Sequence, residues 1–392
     1  MPPGDIMLIA GESSGDALGG RLMAALHRHS PQPLRFHGIG GPQMIEQGLE
    51  SQFPMQELAV MGFAEVLPKV PHLLRRVREL ADRAESLQPL ALITIDAPSF
   101  GLRVTRRLGP QSFPRIQYVA PQVWAWRPGR AKKLGDSIDH LLTLLPFEDA
   151  FFAPHGLDSR FVGHPIIETA GRGDGERLRR GLGLNADQRL LLLLPGSRLG
   201  EIGRHIDIFL ETARLLSAGR PDLALVLPTV EHTAPTVQAR VAAAGLPVHV
   251  VSGAEQRQDA FAAADAALAA SGTVSLELAL NGVPAVVAYR TNALTAFIAR
   301  RLINVSHVAM PNILLQEEAM PEFLQENCRP EPLSAALGTI LDEPAKEERA
   351  DAFARLARLL GSDGAAPSSR AAEAVLSIVE TWRSRREAEE TT

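Results

Sequence analysis

Two charged residues stand at the ends of apolar runs, where a parallel sheet would present them to a ligand. Asp96 follows residues 90–95, and Arg198 follows the five leucines 190–194 and a Pro-Gly-Ser turn. Ligands of open α/β sheets bind beyond the carboxyl ends of the strands. There a carboxylate can serve as general base and an arginine can bind phosphate. The simpler alternatives are a helix cap for Asp96 and a surface ion pair for Arg198.

A second loop of small polar residues, 271–273, has the composition of a diphosphate-binding loop. It follows the apolar run 266–270 and opens a helical segment, whose free N–H groups can bind an anion. Glu277, one turn into that segment, is placed to accept hydrogen bonds from ribose hydroxyls. The residues predicted to bind a nucleotide diphosphate are Gly196, Ser197, Arg198, Ser271, Gly272, Thr273 and Glu277.

The first apolar run, residues 6–10, leads into the glycine turn 11–16 and a helix over about 17–27. Gly15 allows close backbone approach, and Ser14 and Asp16 can cap the helix. A ligand cradle and a plain strand-to-helix turn both explain this pattern. A glycine cluster at residues 37–41 is expected to line the same region.

Apolar runs that alternate with helical segments organise the whole chain. A membrane helix needs about 20 apolar residues, so runs this short suit strands buried on both faces of parallel sheets. The strands are expected at residues 6–10, 90–95, 116–119, 140–145, 190–194, 223–227, 248–251, 266–270 and 284–290, with a loop and short strand at 310–314.

This alternation predicts two Rossmann-like domains that face each other across a cleft, an α/β arrangement that resembles the GT-B architecture. We expect an N-terminal domain over residues 1–168 that meets acceptor and membrane. A C-terminal domain over 169–366 would bind the nucleotide sugar. The final helix, residues 367–392, would pack back on the first domain or on a partner chain, which makes a homodimer possible.

The composition excludes several classes of function. The chain of 392 residues has a net charge of −5, with 45% hydrophobic and 22% charged residues, which suits a globular protein and not a nucleic-acid binder. Cys328 is the single cysteine, as in proteins of reducing compartments. No metal or cofactor is expected. The N-terminus lacks signal-peptide features, so a cytoplasmic protein with peripheral membrane contact is predicted.

Residues 58–78 are apolar with cations at one end, a pattern typical of an interfacial helix on an anionic membrane. On composition alone a core helix with solvated arginines is favoured. Pro68 and Pro71 are expected to interrupt the helix. The residues predicted to meet lipid are Val66, Leu67, Lys69, Leu73, Leu74, Arg75 and Arg76.

A loop over residues 120–130 holds two of the three tryptophans beside arginines. Trp124 and Arg127 have the chemistry for contacts with sugar, phosphate or a lipid headgroup. A packed structural loop is the alternative.

Three segments together are similar to the lipid-A-disaccharide synthase family: the glycine turn 11–16, the tryptophan loop 119–127, and the turn 194–198 with residues 271–273. Further matches follow in order at residues 61–66, 95–98, 162–165, 311–312 and 324–328. One departure is the segment Tyr289-Arg-Thr-Asn292, which lacks an expected lysine after the arginine.

The resemblance implies a metal-independent, inverting transfer of a sugar. A UDP-activated 2,3-diacylglucosamine donor reacts with the 6-hydroxyl of 2,3-diacylglucosamine 1-phosphate, giving a β-1,6 disaccharide phosphate and UDP. It implies that Asp96 is the base and that residues 58–78 dock on the inner membrane's cytoplasmic face. Carried over residue by residue, it adds Tyr289, Arg290 and Asn312 to the donor site, and assigns Glu12, Ser14, Gly15, Asp16, Trp124 and Arg127 to the acceptor side.

Other classes remain as alternatives. A UDP-N-acetylglucosamine 2-epimerase would share the architecture and consume its substrate without a lipid acceptor. A UDP-sugar-binding protein would bind and not turn over. A dinucleotide oxidoreductase is disfavoured because the first turn lacks the G-x-G-x-x-G spacing.

Overall fold

The chain folds into two compact units. The computed structural model describes residues 3–58, 63–96, 98–109, 112–121, 130–185, 187–292, 307–343 and 347–390. The first unit comprises Met1–Pro165 and Leu360–Thr392, and the second comprises Ile166–Leu359. Both borders lie a few residues before the expected ones. At the crossing, the His164 N–H donates to the Leu360 carbonyl at 3.0 Å. The final helix therefore belongs to the first unit.

The first unit is built on a parallel sheet in the order β3-β2-β1-β4-β5-β6-β7. Its strands are β1 (Gly4–Ala10), β2 (Leu34–Ile39), β3 (Leu49–Ser51), β4 (Ala91–Ile95), β5 (Arg115–Tyr118), β6 (His140–Thr143) and β7 (Asp158–Phe161). Its helices are α1 (Ser13–His29), α2 (Pro42–Glu46), α3 (Phe63–Leu87), α4 (Pro98–Leu108), α5 (Arg130–Gly135), α6 (Glu148–Phe152) and, from the chain end, α15 (Pro367–Glu390).

The second unit repeats the design with a parallel sheet in the order β10-β9-β8-β11-β12-β13. Its strands are β8 (Leu190–Leu194), β9 (Ala224–Thr229), β10 (Val248–Ser252), β11 (Ala266–Ala269), β12 (Ala285–Tyr289) and β13 (Glu322–Leu324). Its helices are α7 (Gly175–Leu182), α8 (Leu199–Gly219), α9 (Ala234–Ala244), α10 (Ala254–Ala263), α11 (Val274–Leu280), α12 (Met310–Leu315), α13 (Pro330–Asp342) and α14 (Glu347–Leu359).

The five leucines form β8, the strand between β9 and β11. All five are buried, none more than 6% exposed. Burial of each leucine side chain contributes about 2 kcal/mol. An uninterrupted apolar run is what a strand covered on both faces requires, because both pleat directions face helices.

Each sheet has one point where the strand order reverses. In the first unit the chain moves outward from β1 through β2 to β3, then returns to place β4 on the other side of β1. In the second unit β8 and β11 stand in the same relation. The loops after these neighbouring strands leave in opposite directions and open a crevice between them, which is where open α/β sheets bind ligands.

Helix α15 completes the core of the first unit. Ala371, Ala374, Val375 and Val379 are buried in the same cluster as Leu22 of α1. The Trp382 indole N–H donates to the Ser112 carbonyl at 3.0 Å. The helix thus buries its apolar face within its own chain.

Two expectations about local structure were wrong, one about α3 and one about residues 310–314. Helix α3 runs unbroken through Pro68 and Pro71. Each proline loses one N–H hydrogen bond and crowds the carbonyl four residues earlier, and the second half of the helix is held by buried Leu80 and Ala84. Residues 310–315 form helix α12 and not a strand, with Pro311 in the first turn, where proline is tolerated. Residues 37–39 belong to strand β2.

Gly38 allows β1 and β2 to approach. Its φ is +129°, and a Cβ there would lie 1.9 Å from the Leu8 carbonyl oxygen. We expect Gly38→Ala to lower the free energy of unfolding by about 3 kcal/mol, from backbone strain and overpacking. Urea unfolding of the full chain measures this.

Gly48→Ala is the matched control, because Gly48 also has positive φ, +89°, but has nothing within 4 Å of the added Cβ. It should cost only about 1 kcal/mol. Equal losses in the two variants would contradict the close approach at Gly38.

Candidate active site at the two switch points

A hydrogen bond spans the switch point of the first unit. Ser14, in the first turn of α1, donates its hydroxyl to Asp96 Oδ2 at 2.7 Å. Asp96 follows the last residue of β4, and α1 begins just after β1. Two residues expected separately at the catalytic and acceptor sites therefore meet. The Asp96 side chain lies near the N-terminus of a 17-residue helix, which favours negative charge there.

The backbone beside Asp96 adopts a conformation that few residues accept. Asp96 has φ +51° and Val119, at the end of the neighbouring strand β5, has φ +83°. A β-branched residue in this region is a genuine outlier. Buried Gln117 binds the backbone at the ends of both strands, β4 and β5. Its Nε2 donates to the carbonyls of Val119 at 3.1 Å and Asp96 at 3.4 Å. Such strain is characteristic of functional sites.

The glycine turn has a structural role as well. A Cβ on Gly15 would lie 3.1 Å from the Ile95 carbonyl, so glycine lets α1 rest against the end of β4. Glu12 is exposed at the N-cap position without a side-chain capping bond. The side chains of Glu12 and Ser14 are accessible to a ligand in this turn.

The assignment of Asp16 to the acceptor side or to the cap of α1 needs correction. Asp16 is 3% exposed. Its carboxylate accepts N–H groups of Gly41, Gln43 and Met44 at 2.8–3.1 Å. It therefore caps the N-terminus of α2, where three backbone donors need an acceptor, and has no exposed face for substrate. Trp124 and Arg127 lie outside the described residues.

The loop after β8 packs against the first turn of α8. Gly196 has φ +120°, and a Cβ there would lie 2.6 Å from Cβ of Glu201. Glu201 accepts the Ser197 N–H at 3.3 Å and contacts Arg198 Nη1 at 3.4 Å. The Arg198 side chain is 64% exposed. The surface ion pair is thus present, but it leaves most of the guanidinium accessible to a phosphate.

The loop after β11 lies on the other side of the second switch point. Gly272, with φ +149°, and Thr273 are exposed. Ser271 donates its hydroxyl to the Val308 carbonyl at 3.1 Å. Thr273 occupies the N-cap position of α11 without a side-chain cap. The loop therefore presents exposed backbone and a hydroxyl next to the loop that carries Arg198.

Glu277 is paired within the protein. Its carboxylate receives the guanidinium of Arg257 from α10, and its side chain is 14% exposed. Burial raises the pKa of Glu277, and the positive charge of Arg257 acts in the opposite direction. A ribose hydroxyl would have to share this carboxylate with Arg257.

The end of β12 is held from helix α8. Arg290 donates its backbone N–H to Nε2 of His205 at 2.9 Å. The Tyr289 ring lies 5.1 Å from the His205 ring. The Arg290 side chain is exposed. Tyr289 ends β12, the strand next to β11, and Arg290 follows it, so both stand at the same edge as the two loops.

Asn312 is bonded within the protein. It is fully buried. Its Nδ2 donates to the Met320 carbonyl at 2.7 Å and to Glu322 at 2.8 Å, and its Oδ1 accepts the Met320 N–H at 2.9 Å. Both amide N–H groups and the amide oxygen of Asn312 are thus bonded to the segment that leads into β13. Its role is to shape this segment, because an apolar replacement would leave buried polar groups unpaired.

The residues predicted to meet lipid divide into those whose side chains the structure describes and those whose side chains it does not. The side chains of Val66, Leu67 and Lys69 lie outside the described parts of α3. Leu74 is 42% exposed and Leu73 is half-buried. Arg75 is exposed and contacts Glu79 at 3.6 Å.

Arg76 needs correction as a lipid contact. It is bound to Glu57 and Glu79 and stacks over the Phe53 ring at 4.2 Å.

Among the described helices, none has the length and apolarity to span a bilayer.

Three buried or paired polar residues near the sites were not found from the sequence: Gln117, His205 and Arg257. A signal existed for two of them, because Gln117 interrupts an apolar strand and His205 lies on the apolar face of α8 with Ile202 and Phe209. Nothing local marks Arg257, whose partner is 20 residues away.

Two doubly wound parallel sheets, each with polar loops at its switch point, are the architecture of the GT-B fold. The putative UDP-N-acetylglucosamine 2-epimerase of Listeria monocytogenes has this fold, with TM-score 0.65 and 15% identity over 98% of this chain and 97% of that chain. The glycotransferase of kitacinnamycin matches with TM-score 0.63 and 17% identity over 96% and 100% of the two chains.

The particular family is decided by sequence. The family model for lipid-A-disaccharide synthetase matches residues 6–375. A lipid-A-disaccharide synthase of Rhodospirillum centenum is 48% identical over 383 residues, 97% of this chain and 96% of the relative. The chain belongs to the lipid-A-disaccharide synthetase family, and it is a glycosyltransferase.

The Arg257–Glu277 pair gives a pH-dependent prediction. The raised pKa of Glu277 means that its contribution to stability is present below about pH 4.5 and is lost as pH rises through the folded-state pKa. Arg257→Gln removes the cation and raises that pKa further. The variant should match wild type near pH 4.5 and be about 1 kcal/mol less stable at pH 7.5, measured by urea unfolding.

In the Glu277→Gln background the same Arg257→Gln change should have no pH-dependent effect, since the titrating group is gone. A stability difference that stays constant from pH 4.5 to 7.5 would contradict the pairing.

Proposed function

We propose that this protein transfers a 2,3-diacylglucosamine unit from UDP to the 6-hydroxyl of 2,3-diacylglucosamine 1-phosphate, forming the β-1,6 lipid A disaccharide 1-phosphate and UDP. Family membership supports the reaction. The observation that carries the mechanism is the placement of Asp96 at the first switch point, bonded to Ser14 and held in a left-handed conformation.

Asp96 is the general base in this proposal. Inversion requires one in-line displacement, in which the acceptor oxygen bonds to the anomeric carbon as the bond to UDP breaks. The acceptor hydroxyl proton goes to the carboxylate of Asp96. Ser14 fixes one carboxylate oxygen and leaves the other for the acceptor, and the preset backbone lowers the entropic cost of alignment.

The UDP leaving group belongs to the second switch point. Negative charge grows on the diphosphate during the displacement, so fixed donors and cations there stabilise the transition state. Arg198 is exposed, and its 3.4 Å contact with Glu201 is long enough for a phosphate to replace it. Exposed Gly272 and Thr273 add backbone and hydroxyl donors from the adjacent loop, and Glu277 is the candidate for the ribose.

Asp96→Asn tests the role of the base. The amide keeps the size and the bond to Ser14 but cannot accept the proton, so turnover should fall about 10²–10⁴-fold. UDP release is measured with and without the diacylglucosamine 1-phosphate acceptor, and UDP affinity by calorimetry should not change. Ser14→Ala should cost only about tenfold, because it loses one orienting bond.

Near-normal turnover of Asp96→Asn would remove it from the catalytic role. UDP release by the wild type without acceptor, with formation of an epimerised sugar, would instead support the epimerase reaction.

We propose that the start of α3 meets the membrane that holds the acylated substrates, on its cytoplasmic face. Support comes from exposed Leu74, exposed Arg75 and the apolar sequence that precedes them. The turns of the helix that follow Leu74 are anchored by buried Val77, Leu80 and Ala84. Because Arg76 is paired with carboxylates of the protein, we expect apolar insertion to contribute more to membrane binding than cationic attraction does.

Leu74→Glu should therefore weaken binding to vesicles of anionic phospholipid by about tenfold, since a charge opposes burial in the interface. Leu215→Glu is the matched control, as Leu215 is similarly exposed, at 40%, but lies in the second unit. Sedimentation with liposomes measures both, with thermal unfolding as the folding check. Equal sedimentation of the two variants and wild type would refute the docking surface.

A further inference from the structure

One face of helix α8 binds the backbone at two points along the edge of the second sheet where we propose that the donor binds. Arg198, Glu201 and His205 are spaced at i, i+3 and i+7, so they project from the same side of a helix. Glu201 receives the backbone of the loop after β8. His205, one turn on, receives the backbone at the end of β12. The loop after β11 lies between these two points in strand order.

His205 is an unusual acceptor to find in this position. It is fully buried and lies between the rings of Tyr289, at 5.1 Å, and Phe209, at 5.9 Å. The Arg290 N–H donates to Nε2, so this nitrogen carries no proton and a neutral ring carries its proton on Nδ1. Burial lowers the pKa of His205, outweighing the opposite effect of the Glu201 and Pro195 carbonyls. The ring thus stays neutral and able to accept.

The segment after β12 is fixed by two side-chain acceptors in succession. His205 accepts the N–H of Arg290 at 2.9 Å, and the Gln325 Oε1 accepts the N–H of Thr291 at 3.3 Å. Gln325 itself has φ +52°. Consecutive N–H groups held from two distant parts of the chain leave the backbone at residues 290–291 little freedom, although the Arg290 side chain is exposed.

We propose that His205 is a positioning residue for the sugar-nucleotide donor. By holding the Arg290 N–H, it aims the side chains of Tyr289 and Arg290 at the diphosphate side of the bound nucleotide sugar. It does not touch substrate. The inference rests on the proposed function, because it takes Tyr289 and Arg290 as donor contacts.

The test separates the acceptor atom from the packing of the ring. In His205→Gln, Oε1 is as many bonds from Cα as Nε2 of histidine and can accept the same N–H. His205→Leu fills the site without an acceptor. We expect His205→Leu to raise KM for the UDP-sugar and Kd for UDP about tenfold, with kcat changed less than about twofold. His205→Gln should restore both constants to within about threefold of wild type.

Leu216→Ala is the matched control, because Leu216 is also buried on α8 but lies about three turns beyond His205. It should lower the thermal midpoint and leave KM and Kd unchanged. If His205→Leu does not fold, His205→Asn takes its place, since its amide is one bond too short to reach Arg290.

The outcomes are distinguishable. Unchanged KM and Kd in His205→Leu, or a His205→Gln variant no better than His205→Leu, overturns the inference while an active wild type keeps the proposed function. A wild type without acceptor-dependent UDP release overturns the proposed function. In that case the UDP affinity of the variants, measured by calorimetry, still tests whether His205 positions the residues that bind UDP.

Discussion

A parallel sheet brings the carboxyl ends of all its strands to one edge, and the two sheets here depend on that constraint. Each reverses its strand order once, beside its first strand, so the loops on either side diverge and leave accessible backbone. The Ser14–Asp96 bond lies at one of these points. Arg198 and the loop of Gly272 lie at the other. The chemistry we propose is located where two strands stand next to each other without being consecutive.

The sequence was sufficient for features that depend on short segments. The runs that became β1, β4, β8 and β11 were evident because strands covered on both faces must be apolar throughout. Asp96 and Arg198 were predicted as site residues because Asp96 follows such a run and Arg198 follows another and its turn. The family motifs extended this to Ser14 and Tyr289, and the GT-B class followed from two series of alternating strands and helices.

Long-range pairing could not be read in the same way. Asp16 is a turn residue by sequence, yet it caps a helix that begins 26 residues later. Asn312 carries a family motif but spends its amide on Met320 and Glu322. Arg257 and His205 act on partners in other elements. Local propensity describes neither the strand order nor the packing that creates these pairs, and α3 continues through Pro68 and Pro71 against their propensity.

The return of the chain to the first unit affects how the protein is made. The second unit is one continuous stretch, Ile166–Leu359, whereas the first needs α15 from the chain end to cover α1. During synthesis domains usually complete in order from the N-terminus. Here the second unit is the first whose full sequence has emerged. The sheet that carries Asp96 lacks its covering helix until residues 367–390 have been synthesised, so an apolar face of α1 stays available to a chaperone until then.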